Sequence, residues 1–211
     1  MHHLADLPGH WTFIGDEAEL SIVRLRMLKP RYVFFLHWSM LVPLEITREF
    51  ECVCFHMTDV PYGRGGSPLQ NLIVRGHRET KLTALRMVPQ LDAGPIYFKE
   101  PLSLTGRAQD IYKRAEELSV QMIRRIIEEE PDPSPQVGEP VIFSRRKPHQ
   151  SRIKEVETLS GLYDRIRMVD ADGYPYAFLE HENLRLEFRN ARLLEDCVVA
   201  EVTIRMKEGD G

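Results

Sequence analysis

The sequence predicts an α/β fold with a mostly parallel, Rossmann-like sheet and flanking helices, followed by a small antiparallel β appendage. Short apolar runs alternate with helix-length amphipathic segments along most of the chain, which favours strands joined by crossover helices. The tail instead alternates apolar and polar residues with a period of two, which is typical of half-buried antiparallel strands. We therefore expect an α/β domain over residues 1–140 and a helix-plus-β subdomain over 141–211.

Local patterns predict the individual elements. A continuous apolar run over 32–36 is typical of a strand buried on both faces. Asp16 is a suitable N-cap for a helix that Pro30 would end, and an apolar stripe opposite charged residues marks the longest helix. In chain order we expect strand 11–14, helix 16–29, strand 32–36, helix 43–49, strand 52–55, helix 67–75, strands 80–87 and 95–99, helix 107–130, a proline-rich linker over 131–140, strand 141–143, helix 154–169, and strands around 184–188 and 198–206.

The composition is that of an ordinary globular protein. The 211 residues are 43% hydrophobic and 28% charged, with a net charge of −4. Binding to nucleic acid normally requires a basic surplus, so we do not expect a nucleic-acid partner. Three cysteines are too few for a disulfide framework. We find neither an apolar run of membrane-spanning length nor a signal-peptide pattern, so we expect a cytoplasmic protein without a membrane partner.

Polar residues follow several predicted strands where the chain turns into a loop. His56 ends the apolar run 52–55, and Asp92 precedes Gly94 after strand 80–87. The tripeptide at 37–39 follows strand 32–36 in the same way. Ligand sites of α/β sheets lie at the carboxyl ends of the strands, so we expect these side chains at one edge of the sheet. Between His56 and Asp92 lies a glycine-rich loop that carries Arg64.

Three ordered motifs resemble the formyltransferases that use 10-formyltetrahydrofolate: HMTDVP at 56–61, GRGGSP at 63–68 and LDAG at 91–94. In that family an N-x-H-x-S-L-L-P motif precedes an R-G-x-x-P loop, and an L-D-x-G loop comes later. The sequence at 37–39 and 55–71 is most similar to the branch of this family that formylates amino sugars in pathways of the pseudaminic-acid type. The resemblance covers roughly residues 30–147. The family begins with a central strand and a glycine turn that have no counterpart here, so we expect that first strand to be missing.

The resemblance implies roles for specific residues. His56 would donate to the oxygen that becomes negative during formyl transfer, and Asp92 would orient His56 and accept the amine proton. Cys54 stands where the family has a catalytic asparagine, and a thiol is a weaker hydrogen-bond donor than an amide. The formyl donor would contact His37, Trp38, Ser39, Leu91 and Asp92. The substrate would contact Asp59, Arg64, Gly65 and Gly66. No metal is expected, because no second ligand pair accompanies Cys52 and Cys54.

Each of these residues also has a purely structural interpretation. The alternatives are a core histidine for His56, turn stabilisation for Asp92, capping for Asp59, loop tethering for Arg64 and core packing for Trp38. The basic run 145–147 is typical of a solvated face, although a nucleotide diphosphate could bind it.

We therefore predict an enzyme, an N-formyltransferase that moves a formyl group from 10-formyltetrahydrofolate to a primary amine on an amino sugar or a nucleotide-linked amino sugar. One alternative is formylation of methionyl-tRNA, which the net negative charge and the short tail disfavour. Another is a non-catalytic folate-binding relative, which Cys54 and the missing strand would suit. The sequence also allows a homodimer.

Overall fold

The structure, a computed structural model, describes residues 7–36, 38 and 40–207. Within these residues the chain forms two compact units. Unit 1 draws on Met1–Gly65, Thr80–Leu102 and Arg114–Ile142, and unit 2 draws on Gly66–Glu79, Ser103–Lys113 and Phe143–Gly211. The predicted domain boundary between residues 140 and 141 stays a prediction.

The α/β class, with helices and a small antiparallel appendage, is confirmed. In chain order the elements are α1 (Ile22–Leu28), β1 (Val33–Phe35), α2 (Leu44–Glu49), β2 (Cys52–His56), β3 (Tyr62–Gly65), α3 (Pro68–Val74), β4 (Glu79–Arg86), β5 (Ile96–Ser103), α4 (Ala108–Glu129), β6 (Val141–Phe143), α5 (Leu159–Arg167), β7 (Ala177–His181), β8 (Leu184–Leu193) and β9 (Val198–Met206).

The main sheet of unit 1 has the strand order β1-β2-β4-β5 and is mixed rather than mostly parallel. β1 runs parallel to β2, with Phe35 opposite Cys54. β4 runs antiparallel to β2, with His56 opposite Thr83. Between β2 and β4 the chain passes into unit 2. The helix that follows β2 therefore does not act as the crossover that a parallel neighbour would require.

A small apolar cluster supports the β1–β2 end of this sheet. It consists of Leu25 from α1, Phe35 from β1, Ile46 from α2 and Cys52 from β2, all at most 5% exposed. Each helix contributes one buried residue to this cluster, so the short α1 and α2 are held by packing more than by their own length. The cluster anchors β1 and the start of β2, the strand whose last residue is His56.

Unit 2 contains the antiparallel sheet β7-β8-β9 and the helix α5. Helix α5 begins at the N-cap Thr158, whose hydroxyl accepts a hydrogen bond from the Gly161 N–H. Arg167 near its end is 1% exposed, and its guanidinium donates to the Asp164 carboxylate and to the Leu104 and Gly106 carbonyls. Those acceptors explain why a charged side chain can be buried there.

Several predicted elements differ from the structure. The predicted strand 11–14 has no regular structure, and Phe13 is 57% exposed. Asp16 caps a 3₁₀ turn over Glu17–Glu19, whereas Ser21 caps α1, so two capping residues share the segment predicted as one helix. β3 and β7 were not predicted as strands. Among the described helices, none is long and apolar enough to cross a lipid bilayer.

Candidate active site

His56 is the last residue of β2 and is 8% exposed. Its Nε2 lies 2.8 Å from the Gly63 carbonyl oxygen. A carbonyl oxygen can only accept, so Nε2 carries a proton and donates it. The other ring nitrogen, Nδ1, lies 3.6 Å from Asp92 Oδ2. The ring is thus held through Nε2 while Nδ1 faces a carboxylate.

Asp92 lies in the turn between β4 and β5, and its side chain is 11% exposed. Its Oδ2 accepts a hydrogen bond of 2.8 Å from the Gly65 N–H. The backbone of Asp92 has φ +51°, in the left-handed region that aspartate tolerates better than most residues. Two residues on, a Cβ at Gly94 would lie 1.7 Å from the Arg86 carbonyl oxygen. The turn therefore requires glycine at 94 to bring Asp92 against the sheet.

The glycine-rich loop holds both of these side chains through its backbone. Within β3, the Gly63 carbonyl accepts from His56 and the Gly65 N–H donates to Asp92. Thr58 is fully buried, and its hydroxyl also donates to the Gly63 carbonyl, at 3.2 Å. The order of motifs in the sequence predicted that His56 and Asp92 would lie together. It did not reveal that the glycine segment would be the strand that fixes them.

Arg64 is tethered by a residue that the sequence analysis did not single out. The Nε and Nη2 of Arg64 donate to Gln136 Oε1 at 3.0 and 2.8 Å. Gln136 Nε2 in turn donates to the carbonyls of Asp92 and Gly94, both at 2.8 Å. Gln136 lies in the proline-rich segment, and no pattern in the sequence marked it. The structure thus favours loop tethering for Arg64, whose substrate-binding role stays a prediction.

Asp59 pairs with lysines of the sheet. Its carboxylate contacts Lys99 of β5 and, at 3.2 Å, Lys81 of β4. Burial opposes ionisation, but hydrogen bonds from Lys99 and Lys81 outweigh it and lower the pKa of Asp59.

Gly66 was also predicted to contact the substrate. It belongs to unit 2, where a Cβ at position 66 would lie 2.5 Å from the Cβ of Arg145. Close packing is enough to explain a glycine at this position.

Cys54 stays a neutral thiol in this site. Burial, and then the nearby Asp92 carboxylate, raise the pKa of the Cys54 thiol well above its usual range. A thiolate nucleophile is therefore not available there. Cys54 can offer only a weak S–H donor where the family has an asparagine amide.

The residues predicted to contact the formyl donor have different environments. Trp38 packs against the cluster around Phe35, with a ring-centroid distance of 5.6 Å and an edge-on angle of 72°. Leu91 is 61% exposed in the turn that carries Asp92. His37 and Ser39 lie outside the described residues. No group of three or more metal-binding side chains occurs in the part of the chain that the structure describes.

Comparison with known proteins identifies the family. The family model of the methionyl-tRNA formyltransferase C-terminal domain matches residues 148–205. Among solved structures, a methionyl-tRNA formyltransferase from Clostridium thermocellum is 43% identical and has a TM-score of 0.90, over 92% of this chain and 86% of that chain. The chain belongs to the methionyl-tRNA formyltransferase family.

Other members and structures extend this comparison. A methionyl-tRNA formyltransferase from Thermus thermophilus is 26% identical over 82% of this chain and 58% of its own length. HypX from Aquifex aeolicus in complex with tetrahydrofolic acid shares the fold, with a TM-score of 0.67 at 17% identity over 82% of this chain and 31% of that chain. The chain covers 32% of the length of a methionyl-tRNA formyltransferase from Gluconobacter oxydans and 61% of the length of one from Wolinella succinogenes, so it spans less than two thirds of these curated relatives.

The family assignment confirms the predicted resemblance to formyltransferases and corrects two finer expectations. The expectation of an amino-sugar acceptor is wrong, because the matching family model and the 43% identical structure are methionyl-tRNA formyltransferases. The expectation that nucleic acid is not a partner is wrong for the same reason. The site residues are not tested by these comparisons, so their roles remain predictions.

Proposed function

We propose that this chain transfers a formyl group from 10-formyltetrahydrofolate to the amino group of methionyl-tRNA. The observation that carries the proposal is the His56–Asp92 pair, held at 3.6 Å between Nδ1 and Oδ2 by the backbone of one glycine-rich strand. The relatives from Clostridium thermocellum and Thermus thermophilus are methionyl-tRNA formyltransferases, which supports methionyl-tRNA as the acceptor. The tetrahydrofolic acid complex of HypX, a protein of the same fold, supports the donor.

Residues at one end of the sheet of unit 1 fit a folate donor. Trp38 follows β1, and the parallel register of Phe35 with Cys54 carries it to the same end as His56. The Trp38 Nε1 is buried and has no hydrogen-bond partner among residues 7–36 and 40–207. The exposed Leu91 offers apolar contact beside Asp92. Bound 10-formyltetrahydrofolate would supply an activated formyl carbon there.

The two side chains can perform the proton chemistry that formyl transfer requires. The attacking amine must lose a proton, and the negative charge that develops on the formyl oxygen must be stabilised. Asp92 Oδ2 is fixed by the Gly65 N–H, which leaves the carboxylate oriented to accept the amine proton. His56 Nε2 is committed to the Gly63 carbonyl. Nδ1 is therefore the His56 nitrogen that faces Asp92. It donates to the formyl oxygen when the ring carries a second proton, because the first proton stays on Nε2.

A tRNA acceptor requires cations for its phosphates, and unit 2 carries a local group of them. Burial and the nearby positive charge of Arg165 lower the pKa of the Arg146 guanidinium. Neighbouring cations can bind an anion such as a phosphate. Arg146 belongs to the basic run 145–147, which we interpreted from the sequence as a solvated face.

The test is a formylation assay with 10-formyltetrahydrofolate and a panel of acceptors. We expect formylmethionyl-tRNA and tetrahydrofolate to appear in equal amounts when methionyl-tRNA is the acceptor. Amino-sugar nucleotides should give no product. Affinity for methionyl-tRNA should fall with increasing salt, because phosphate contacts release counterions.

Two outcomes would contradict the proposal. Tetrahydrofolate binding without turnover of methionyl-tRNA would favour a non-catalytic folate-binding relative. Turnover of an amino-sugar nucleotide at a rate above that of methionyl-tRNA would reject the acceptor while keeping the donor. Equilibrium binding of tetrahydrofolate, measured by calorimetry on the same preparation, separates these outcomes from a misfolded sample.

A further inference from the structure

Gln136 lies in a segment that is fixed to the sheet of unit 1. The preceding Ser134 exchanges two backbone hydrogen bonds with Ile96, at 2.7 and 2.9 Å, at the start of β5. This bridge places Gln136 beside the turn that leads into β5 and carries Asp92. Because this bridge fixes the backbone next to Gln136, the Gln136 side chain has little freedom to follow the Asp92 turn if that turn shifts.

The Gln136 amide uses both its donors and its acceptor at this place. Its Nε2 donates to the carbonyl oxygens of Asp92 and Gly94, each at 2.8 Å. Its Oε1 accepts from two nitrogens of Arg64, at 3.0 and 2.8 Å. One amide therefore binds the Asp92 turn on one side and β3 on the other. Two residues of β3, Arg64 and Gly65, consequently hold the turn that carries Asp92.

The two tethers act on opposite ends of Asp92. The Gly65 N–H holds the carboxylate, and Gln136 holds the backbone carbonyl of the same residue. A backbone with φ +51° is less stable for aspartate than an ordinary conformation, so the turn needs such contacts to keep its shape. Loss of the backbone tether would let Asp92 move relative to His56 while the sheet stays folded.

We propose that Gln136 is a positioning residue for formyl transfer, which sets the placement of Asp92 opposite His56 by holding the carbonyls of the Asp92–Gly94 turn. This inference rests on the proposed function for its kinetic consequence, though not for its structural one. A displacement of about 1 Å of a reacting group can lower a rate by about a hundredfold. We expect the main effect on kcat, because Gln136 acts by placing Asp92, the residue that would accept the amine proton.

Two substitutions distinguish positioning of Asp92 from a role in which Gln136 only holds Arg64. Gln136→Glu keeps an acceptor for Arg64 but loses the N–H donors, and its carboxylate repels the two carbonyl oxygens. Gln136→Met removes the hydrogen bonds to Arg64 and to the two carbonyls while keeping a side chain of similar length. Gln121→Met is the matched control, because it makes the same change at an exposed position of α4. We expect kcat to fall about tenfold to a hundredfold in both Gln136 variants, with KM within about threefold of the parent.

A second measurement does not depend on turnover. In protein labelled with ¹⁵N-histidine, the Nδ1 shift of His56 reports the carboxylate that faces it. We expect the Gln136→Met shift to move towards that of Asp92→Asn, and the Gln121→Met shift to match the parent. Far-UV circular dichroism and thermal unfolding confirm that each variant is folded; if Gln136→Met does not fold, Gln136→Glu takes its place in both measurements.

The outcomes distinguish this inference from the proposed function. A parent protein without turnover would reject the proposed function, and the His56 shift would still decide the positioning role. An active parent with wild-type kcat in Gln136→Glu would overturn the positioning role alone, because bracing through Arg64 would then be sufficient. An unchanged Nδ1 shift in the folded Gln136 variant would overturn it as well.

Discussion

Gly94→Ala tests whether the Asp92 turn depends on a close backbone approach. An ideal Cβ at position 94 would lie 1.7 Å from the Arg86 carbonyl oxygen, 2.9 Å from the Arg86 carbonyl carbon and 3.4 Å from Val88 Cγ1. Favourable carbon–oxygen contacts begin at about 3.3 Å, so the two backbones must separate by roughly 1.5 Å. The obstacle is backbone, which cannot rotate away as a flexible side chain could.

The cost can be worked out from the contacts that this separation affects. Overpacking at a tight site costs about 1–3 kcal/mol. The Arg86 N–H donates to the Pro95 carbonyl at 2.9 Å, and breaking that hydrogen bond costs about 1–3 kcal/mol more. We therefore expect Gly94→Ala to lower the free energy of unfolding by about 2–6 kcal/mol. Displacement of Asp92 should also lower kcat by about a hundredfold in whatever folded protein remains.

Urea unfolding followed by circular dichroism measures the first effect, and the formylation assay measures the second. Gly15→Ala is the control, because its backbone carries no positive φ and a Cβ there would meet nothing within 4 Å. It should stay within about 1 kcal/mol of the parent. If Gly94→Ala were as stable as Gly15→Ala and fully active, the close approach of the turn to Arg86 would be refuted, together with the role we assign to this glycine.

Three further substitutions test the site. His56→Ala should lower kcat by on the order of a hundredfold while tetrahydrofolate still binds, because it removes the donor near the formyl oxygen. The control is His181→Ala, at the exposed end of β7, and equal rates for both variants would contradict the assignment. Cys54→Asn should keep or raise activity, since an amide is the stronger donor; a collapse of kcat in the folded variant would show a specific role for the thiol. Asp59 has a lowered pKa, so its ion pairs stabilise the fold at neutral pH and this contribution is lost as the pH falls below the ordinary value near 3.8. Asp59→Asn should therefore lower the free energy of unfolding by less than about 1 kcal/mol at pH 7, because the Asp59 side chain is 44% exposed. The difference from the parent should vanish in acid. If urea unfolding gave the same difference at neutral and acid pH, the ion pairs with Lys99 and Lys81 would not be its cause.

Helices bounded by strong local signals were predictable from the sequence. The predicted helix 107–130 is α4, Ala108–Glu129. Four residues of its predicted apolar stripe are at most 1% exposed and the fifth, Leu118, is half-buried; the four are Ile111, Ala115, Met122 and Ile126. The strand predicted over 11–14 failed because a short strand-like run shows only that a strand is compatible with the sequence. A strand also needs a partner with free backbone groups, and local periodicity carries no information about that partner.

The geometry of the site was predictable only in part. The motifs and their intervals, which resemble those of the formyltransferases, predicted that His56 and Asp92 lie together. The binding of Gln136 to the Asp92 and Gly94 carbonyls depends on backbone groups, which are present at every residue and leave no signature in sequence. The prediction that Arg64 contacts the substrate could not take its acceptor into account, because Gln136 lies far along the chain in a segment that resembled a plain linker.

The failed expectation about nucleic acid has a physical explanation in how charge is distributed. A net charge of −4 sums over the whole chain, whereas a phosphate responds to charges within about 8–10 Å at ordinary ionic strength. The acidic excess of this sequence lies in the segments of unit 1, and the segments of unit 2 contain slightly more lysine and arginine than aspartate and glutamate. Burial, and then the positive charge of Arg165, lower the pKa of the Arg146 guanidinium, and no whole-chain sum shows such a local neighbourhood of cations. Net charge is therefore a sound argument about solubility and long-range steering, but it cannot exclude a polyanionic partner when one compact unit carries the opposite balance from the other.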